Sequence, residues 1–268
     1  MDWQRADASV PTRAPTGETA AYRLGDDDAL LVDPADATDA LDALLSDRTV
    51  SHIAVTHHHP DHVGGVAHYA SETDATVWAR RGRVADFEAA TGVRPDRVFG
   101  EGATIPTDAG PVTVVETPGH APEHVAFAAG GSVVSGDLAV AEGSVVVGAP
   151  EGDVRAYLTS LRRLHARNPD RLLPSHGPAI EAPRATCERL IAHRLARERR
   201  VREAIRSGAR SLDDIVEAAY AKDLSGVRDL ARATVRAHVE KLAVEGDVAW
   251  DGERARSVGV AESNSSAG

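Results

Sequence analysis

Cysteine is nearly absent from the 268 residues; Cys187 stands alone. A single thiol excludes an internal disulfide and suits a reducing compartment. It falls in an expected helix, where a partly buried small residue is its role. Lysine is almost as scarce, with Lys222 and Lys241 among 30 basic residues. Abundant aspartate with so little lysine fits a protein kept soluble in concentrated salt, a condition that weakens binding to phosphate backbones. No apolar run approaches the roughly 18–20 residues of a membrane-spanning helix. Residues 1–18 have neither the apolar core of an export signal nor the Arg-rich, acid-poor character of a transit peptide. The expectation is a cytoplasmic chain with no membrane partner. Internal repeats are missing too, and low complexity is confined to the tail from Ala261, expected to be disordered.

What is present is an ordinary globular composition, 42% hydrophobic and 26% charged, long enough for one large core or a core with a satellite domain. The net charge of −11 is uneven: residues 1–183 carry 14 basic and 27 acidic side chains, residues 184–268 carry 16 and 14. Strands are predicted over 20–24, 29–34, 51–56, 76–79, 111–117 and 171–174, with a hairpin of 124–128 and 132–135 across Gly130-Gly131 and a short strand at 144–147. Helices are predicted over 36–45 and 153–168, with one starting near residue 63. By periodicity alone the class is α/β.

The stretch Thr56-His57-His58-His59-Pro60-Asp61-His62-Val63-Gly64-Gly65 dominates the chain. It packs four imidazoles and a carboxylate into six residues, a costly concentration unless something positive holds them. Neutral imidazole nitrogen and carboxylate oxygen are the ligands of zinc and similar divalent ions. The cluster follows a predicted strand and precedes a helix, which is where open α/β sheets place their sites.

The pattern His57-x-His59-x-Asp61-His62 resembles the signature of the metallo-β-lactamase superfamily. Three further matches follow predicted strands: Thr117-Pro118-Gly119-His120, Ser135-Gly136-Asp137 and Pro174-Ser175-His176-Gly177. The resemblance implies a four-layer αββα sandwich and a dinuclear site. By position, His57, His59 and His120 would hold one metal, Asp61, His62 and His176 the other, with Asp137 bridging. Two Zn²⁺ are implied, with Mn²⁺ or Fe as alternatives. Such a pair lowers the pKa of a shared water so that hydroxide attacks a carbonyl carbon or a phosphorus, and Asp61 would also orient the nucleophile as the catalytic carboxylate. His124 is placed beside the site as a hydrogen-bonding residue. His58 should point away, and His52, His68, His165, His193 and His238 are read as structural or surface residues.

Beyond His176 a long helix is predicted to about Ser207, with nine arginines against three glutamates between 184 and 210. Part of it must be a solvated face with ion pairs one turn apart, yet the excess charge could also recruit an anionic substrate. An N-capped helix from Ser211, a third helix over 227–245 and a hairpin at Asp251-Gly252 follow. Together they resemble a winged helix, and the whole chain resembles the beta-lactamase-like endoribonuclease group. The expected domains are 1–183 (catalytic), 184–260 (helical linker and winged helix) and 261–268 (tail). Single-stranded RNA is the first expected substrate. The motif is equally similar to glyoxalase II, so a thioester hydrolase of a small acyl substrate is the alternative. Acidic residues set among Arg228, Arg232, Arg236 and Lys241 argue against sequence-specific DNA binding.

Overall fold

The computed structural model describes residues 2–221 and 223–258, so the expected tail of 261–268 lies outside the described residues. One sheet has six strands: β1 (Trp3–Ser9), β2 (Glu18–Leu24), β3 (Ala29–Val32), β4 (Val50–Ala54), β5 (Thr76–Arg80) and β6 (Arg97–Phe99). They lie in chain order; the first three are antiparallel, and β3 to β6 run parallel. The other sheet has β7 (Thr104–Ile105), β8 (Val112–Glu116), β9 (Val125–Ala129), β10 (Ser132–Gly136) and β11 (Arg171–Pro174). Its order is β11-β10-β9-β8-β7, antiparallel except between β10 and β11.

Alternation along the strands fixes the layers, because successive side chains of a strand point to opposite faces. Tyr22 and Leu24 of β2, Leu30 and Val32 of β3, Val112 and Val114 of β8, and Val125 and Phe127 of β9 meet between the sheets. Their neighbours face outward. Ala21, Leu31 and Ile53 pack under α1 (Asp39–Leu45), α2 (Pro60–Val63), α3 (Val66–Thr73) and α4 (Val84–Thr91) through Leu41, Val63, Val66, Tyr69 and Phe87. Val115, Ala126, Ala128 and Val133 pack under α5 (Val154–Arg167) and the start of α6 (Pro183–Arg206). Each fully buried Leu, Val or Phe side chain contributes roughly 1.5–3 kcal/mol. Helix α5 begins where the Asp153 carboxylate accepts from the backbone of Arg155 and Ala156, and its buried Val154, Tyr157, Leu158, Leu161 and Leu164 share one face. The result is two sheets face to face with helices on both sides, as the resemblance implied.

The sheets are also joined at their site end. The Tyr22 hydroxyl donates to the Pro174 carbonyl at 2.7 Å, and the Ala20 amide donates to the Ser175 carbonyl at 2.8 Å. Past Leu195, α6 leaves the sheet and packs with α7 (Leu212–Ala219), α8 (Arg228–Val244) and a hairpin of β12 (Val248–Trp250) and β13 (Ala255–Ser257). Val201, Ile205, Ile215, Val235, Val239 and Leu242 form this C-terminal core. Ser211 and Asp214 make the reciprocal cap that starts α7. Helix α6 contributes Cys187 and Leu190 to one core and Val201 and Ile205 to the other.

Two sequence expectations need correction. Residues 144–147 are not a strand; the carbonyls of Val145 and Val146 are taken by the side chains of Arg194 and His120. The unanticipated β1 is a sheet edge whose inward residues are Ala6 and Ala8, too small to register as a hydrophobic alternation.

Candidate metal centre

All seven predicted ligands come together at the carboxyl ends of strands. His57 and His59 follow β4, Asp61 and His62 lie in α2, and His120, Asp137 and His176 follow β8, β10 and β11. His59 Nδ1 is 2.9 Å from both His57 Nε2 and His120 Nε2. Asp137 stands beside them and beside the other group at once, with Oδ2 3.5 Å from His120 Nε2 and Oδ1 3.3 Å from His176 Nε2. Asp61 approaches His176 Nε2 at 3.8 Å and His62 Nε2 at 3.9 Å.

The outward ring atoms are all engaged, which fixes which nitrogen points inward. His120 Nδ1 donates to the Val146 carbonyl (2.6 Å) and His176 Nδ1 to the Glu18 carbonyl (2.8 Å). His62 Nδ1 meets Asp33 Oδ2 at 3.0 Å, and His59 Nε2 meets the exposed Glu151 carboxylate at 3.0 Å. Thr56 Oγ1 donates to Asp33 (2.7 Å) and so accepts from His57 Nδ1 (3.0 Å).

The donor set fits a divalent cation. Inward-facing His62 Nε2 and Asp137 Oδ1 are buried without a protein hydrogen-bond partner, a costly state for polar atoms that no cation accompanies. The neutral His57 and His120 and the ionised Asp137 agree with this, whereas a cation would have to displace a proton from His62. Burial holds His57 well below the usual imidazole range, helped by His62, His120 and His59. Burial lowers His120 as well, against the pull of Asp137. Burial also disfavours charge on His62, but the Asp33 hydrogen bond and the charges of Asp33, Asp137 and Asp61 win and raise it to about 9. Burial would raise Asp137, yet the His176 ring 3.3 Å away and the charges of His120 and His62 keep it ionised far below the carboxylate range.

His124 is the hydrogen-bonding neighbour expected from the sequence. Its Nδ1 donates to Thr117 Oγ1 (2.8 Å) and its Nε2 accepts the Asp137 amide (3.1 Å). Gly136 makes this approach possible: at φ +52° a Cβ would lie 2.6 Å from His124 Nε2. Burial, with His120 adding to it, lowers His124 to about 3. The unfolded chain takes up this proton near pH 6.5 and the folded chain does not. The contribution of His124 to stability therefore falls as pH drops from about 6.5 toward 3, by about 1.4 kcal/mol per unit. His124→Asn should flatten the slope by that amount, read from urea unfolding at about pH 7 and about pH 5.5 with chelator present.

His58 points away, against Phe87 and Glu123, and His193 meets Ser144 at 3.3 Å. Cys187 is buried, and burial pushes its thiol up to about 11, so it is inert as a nucleophile. Sequence reasoning missed Asp33, Thr12 and Glu151. Asp33 carried a signal, an aspartate ending an apolar strand as Asp137 does. Thr12, whose hydroxyl donates to Asp61 at 2.5 Å, and Glu151 lie in loops that offer none.

Two packed sheets between helices, with histidines and aspartates converging from the strand ends, define a metal-dependent hydrolase. The profile described as Metallo-beta-lactamase superfamily matches residues 15–176, and the chain belongs to that superfamily. It is 30% identical over 209 residues to a Beta-lactamase-like protein 2 homolog of Drosophila melanogaster, covering 74% of this chain and 70% of that protein. Thioesterase pkgB of Emericella nidulans is 29% identical over 160 residues, covering 58% of this chain and 42% of its own length. Among solved structures, a beta-lactamase domain protein from Burkholderia ambifaria superposes with a TM-score of 0.80 at 24% identity, covering 96% of this chain and 91% of that one. A protein solved in a di-iron-bound form matches with a TM-score of 0.55 at 29% identity, covering 66% of this chain and 94% of that one. No helix among the described residues is long and apolar enough to cross a membrane.

Proposed function

We propose that the chain is a dinuclear hydrolase acting on a small thioester or related acyl ester. His57, His59 and His120 would hold one ion, Asp61, His62 and His176 the other, and Asp137 would stand between them. The observation that carries the pairing is the position of Asp137, within 3.5 Å of one histidine group and 3.3 Å of the other. Zinc is the first candidate, with manganese or iron open; the di-iron form of one structural relative supports a two-ion site. Bound divalent ions supply Lewis-acid polarisation and a water acidic enough to react near neutral pH. Asp61, steadied by Thr12, would orient the attacking water and receive its proton. The outward hydrogen bonds of His62, His120 and His176 keep the ligand rings from turning.

The acyl substrate is favoured over single-stranded RNA by what the arginines touch. In α6, Arg194 is buried, Arg189 binds loop carbonyls, Arg197 stacks on Tyr220 and Arg202 pairs with Glu198 and Asp247. In α8, Arg228 and Arg232 pair with Asp213, Arg236 with Glu240, and Lys241 with Glu198 and Glu245. Arg184, Arg199, Arg200 and Arg206 of α6 stay exposed, but the four cations of α8 are all engaged within the chain, which disfavours duplex reading by α8. The name of the fungal thioesterase relative supports the same substrate class. RNA cleavage is the second reading, supported by the three helices and hairpin of residues 184–258, which we read as a winged helix appended to a catalytic domain of residues 1–183.

Purified protein should carry about two metal ions per chain by elemental analysis. A panel of acyl-thioesters and an unstructured RNA oligonucleotide then separates the readings. Thioester turnover that disappears with Asp137→Ala supports the first, and RNA cleavage lost in the same variant supports the second. Activity indifferent to Asp137 would sink both.

A further inference from the structure

Between Asp137 and the start of α5 the chain runs without regular structure, yet Leu138, Ala139, Val140, Val145 and Val147 are all buried. A buried loop must find partners for its carbonyls. Here they come from side chains of the helices behind it. The Tyr157 hydroxyl of α5 donates to the Leu138 carbonyl at 2.8 Å. Arg189 of α6 donates through Nη2 to Val140 (2.7 Å) and Ala141 (3.0 Å), and through Nη1 to Gly143 (2.6 Å). Arg194, only 2% exposed, donates to the Val145 carbonyl while its guanidinium lies 5.3 Å over the Tyr157 ring. From α8, the Ala233 carbonyl accepts the Ala149 amide at 3.1 Å.

The other face of this loop touches the metal centre twice. The Val146 carbonyl holds His120 Nδ1, and the Glu151 carboxylate holds His59 Nε2. Val146 directly follows the carbonyl that Arg194 grips. We infer that Arg194, with Arg189 beside it, is a positioning residue for the three-histidine ion site, acting through residues 138–151 on His120 and His59. A buried guanidinium is expensive, and an apolar residue of similar volume is often as stable or better in such a place. The donor itself is therefore what the position requires. The excess of arginine on α6 is then explained in part from inside the molecule, as a clamp on the loop that aims two ligands. The other ion group, Asp61, His62 and His176, draws its support from Thr12, Asp33 and Glu18 instead, so the clamp acts on one group only.

This inference rests on the reading of His57, His59 and His120 as ligands of one ion. Its test is a titration of metal-stripped full-length protein with Zn²⁺ by calorimetry and with Co²⁺ by visible absorption. Direct outer-shell partners typically change metal affinity about 10–100-fold. Arg194→Met, which keeps the volume and removes the donors, should weaken one equivalent about tenfold and leave the other unchanged. Arg194→Lys should recover part of the loss. Arg189→Ala, an exposed change that folding tolerates, should weaken the same equivalent about threefold, below that range because Arg189 is farther from His120. Arg197→Met, on the same helix but stacked on Tyr220, should leave both equivalents intact. If Arg194→Met does not fold, Arg189→Ala decides alone. Unchanged titrations, or both equivalents weakened in parallel, overturn the inference while the dinuclear reading stands. A wild-type chain that binds no ion overturns both.

Discussion

Asp33→Ala is expected to cost about 3–5 kcal/mol of folding stability, the range for breaking a buried charged pair from one side. The Asp33 carboxylate is fully buried and accepts from the Thr56 amide (2.6 Å), Thr56 Oγ1 (2.7 Å) and Ser175 Oγ (3.2 Å), besides meeting His62 Nδ1. Its loss strands these donors and leaves the His62 imidazolium without its nearest counter-charge. Its backbone also sits at φ +52°, a conformation that aspartate and asparagine tolerate better than alanine. Asp33→Asn keeps the backbone fit and one acceptor and should cost about half as much. Urea unfolding checks this: the midpoint should fall while the slope holds. An unfolding free energy within about 1 kcal/mol of wild type for the alanine variant would show that the network carries little energy.

Chelation should lower the thermal midpoint by about 10 °C. An ion that binds only the folded chain stabilises it by about 4 kcal/mol at a thousandfold excess over Kd, and each kcal/mol moves the midpoint by about 2–4 °C at this size. Adding Zn²⁺ to stripped protein should restore the loss. The gain should also grow with pH. His62 is raised to about 9 against its burial by Asp33, Asp137 and Asp61, so an ion bound at Nε2 must displace a proton, and alkaline conditions favour that exchange. Differential scanning fluorimetry at about pH 6 and about pH 8, with and without chelator, reads both effects. A midpoint indifferent to chelator, in protein shown to have lost its metal, would mean that the histidines are held by the fold alone.

The candidate site residues were legible in the sequence because their chemistry is crowded. Four histidines and an aspartate in six residues stand out in any composition, and His120, Asp137 and His176 each follow an apolar run that reads as a strand. The sheets were legible for a related reason: β3, β9 and β10 are short apolar runs bounded by turn residues, the mark of strands buried on both faces. What escaped was whatever depends on distant partners. Thr12 and Glu151 are ordinary loop residues until folding brings them to Asp61 and His59. The apolar stretch at 144–147 has strand composition, but its carbonyls are claimed by Arg194 and His120. The arginines of α6 misled in the same way, because a count of charge does not say which guanidiniums face a carbonyl or a ring. Asp33 was readable by position and was passed over because one carboxylate after a strand is a weak signal until His62 is seen beside it.

Helix α6 is 24 residues long, a rod of about 36 Å, and it lends one stretch to the core beneath the second sheet and a later stretch to the C-terminal helices. It works as a splint between two bodies. Melting either one strips an apolar stripe from the other, so heat or denaturant should meet one cooperative unit. Cutting the chain at residue 183 would strip Cys187 and Leu190 from the core that holds Leu158 and Leu161, and the severed front part would be a poorer object for experiment than its tidy sequence boundary suggests.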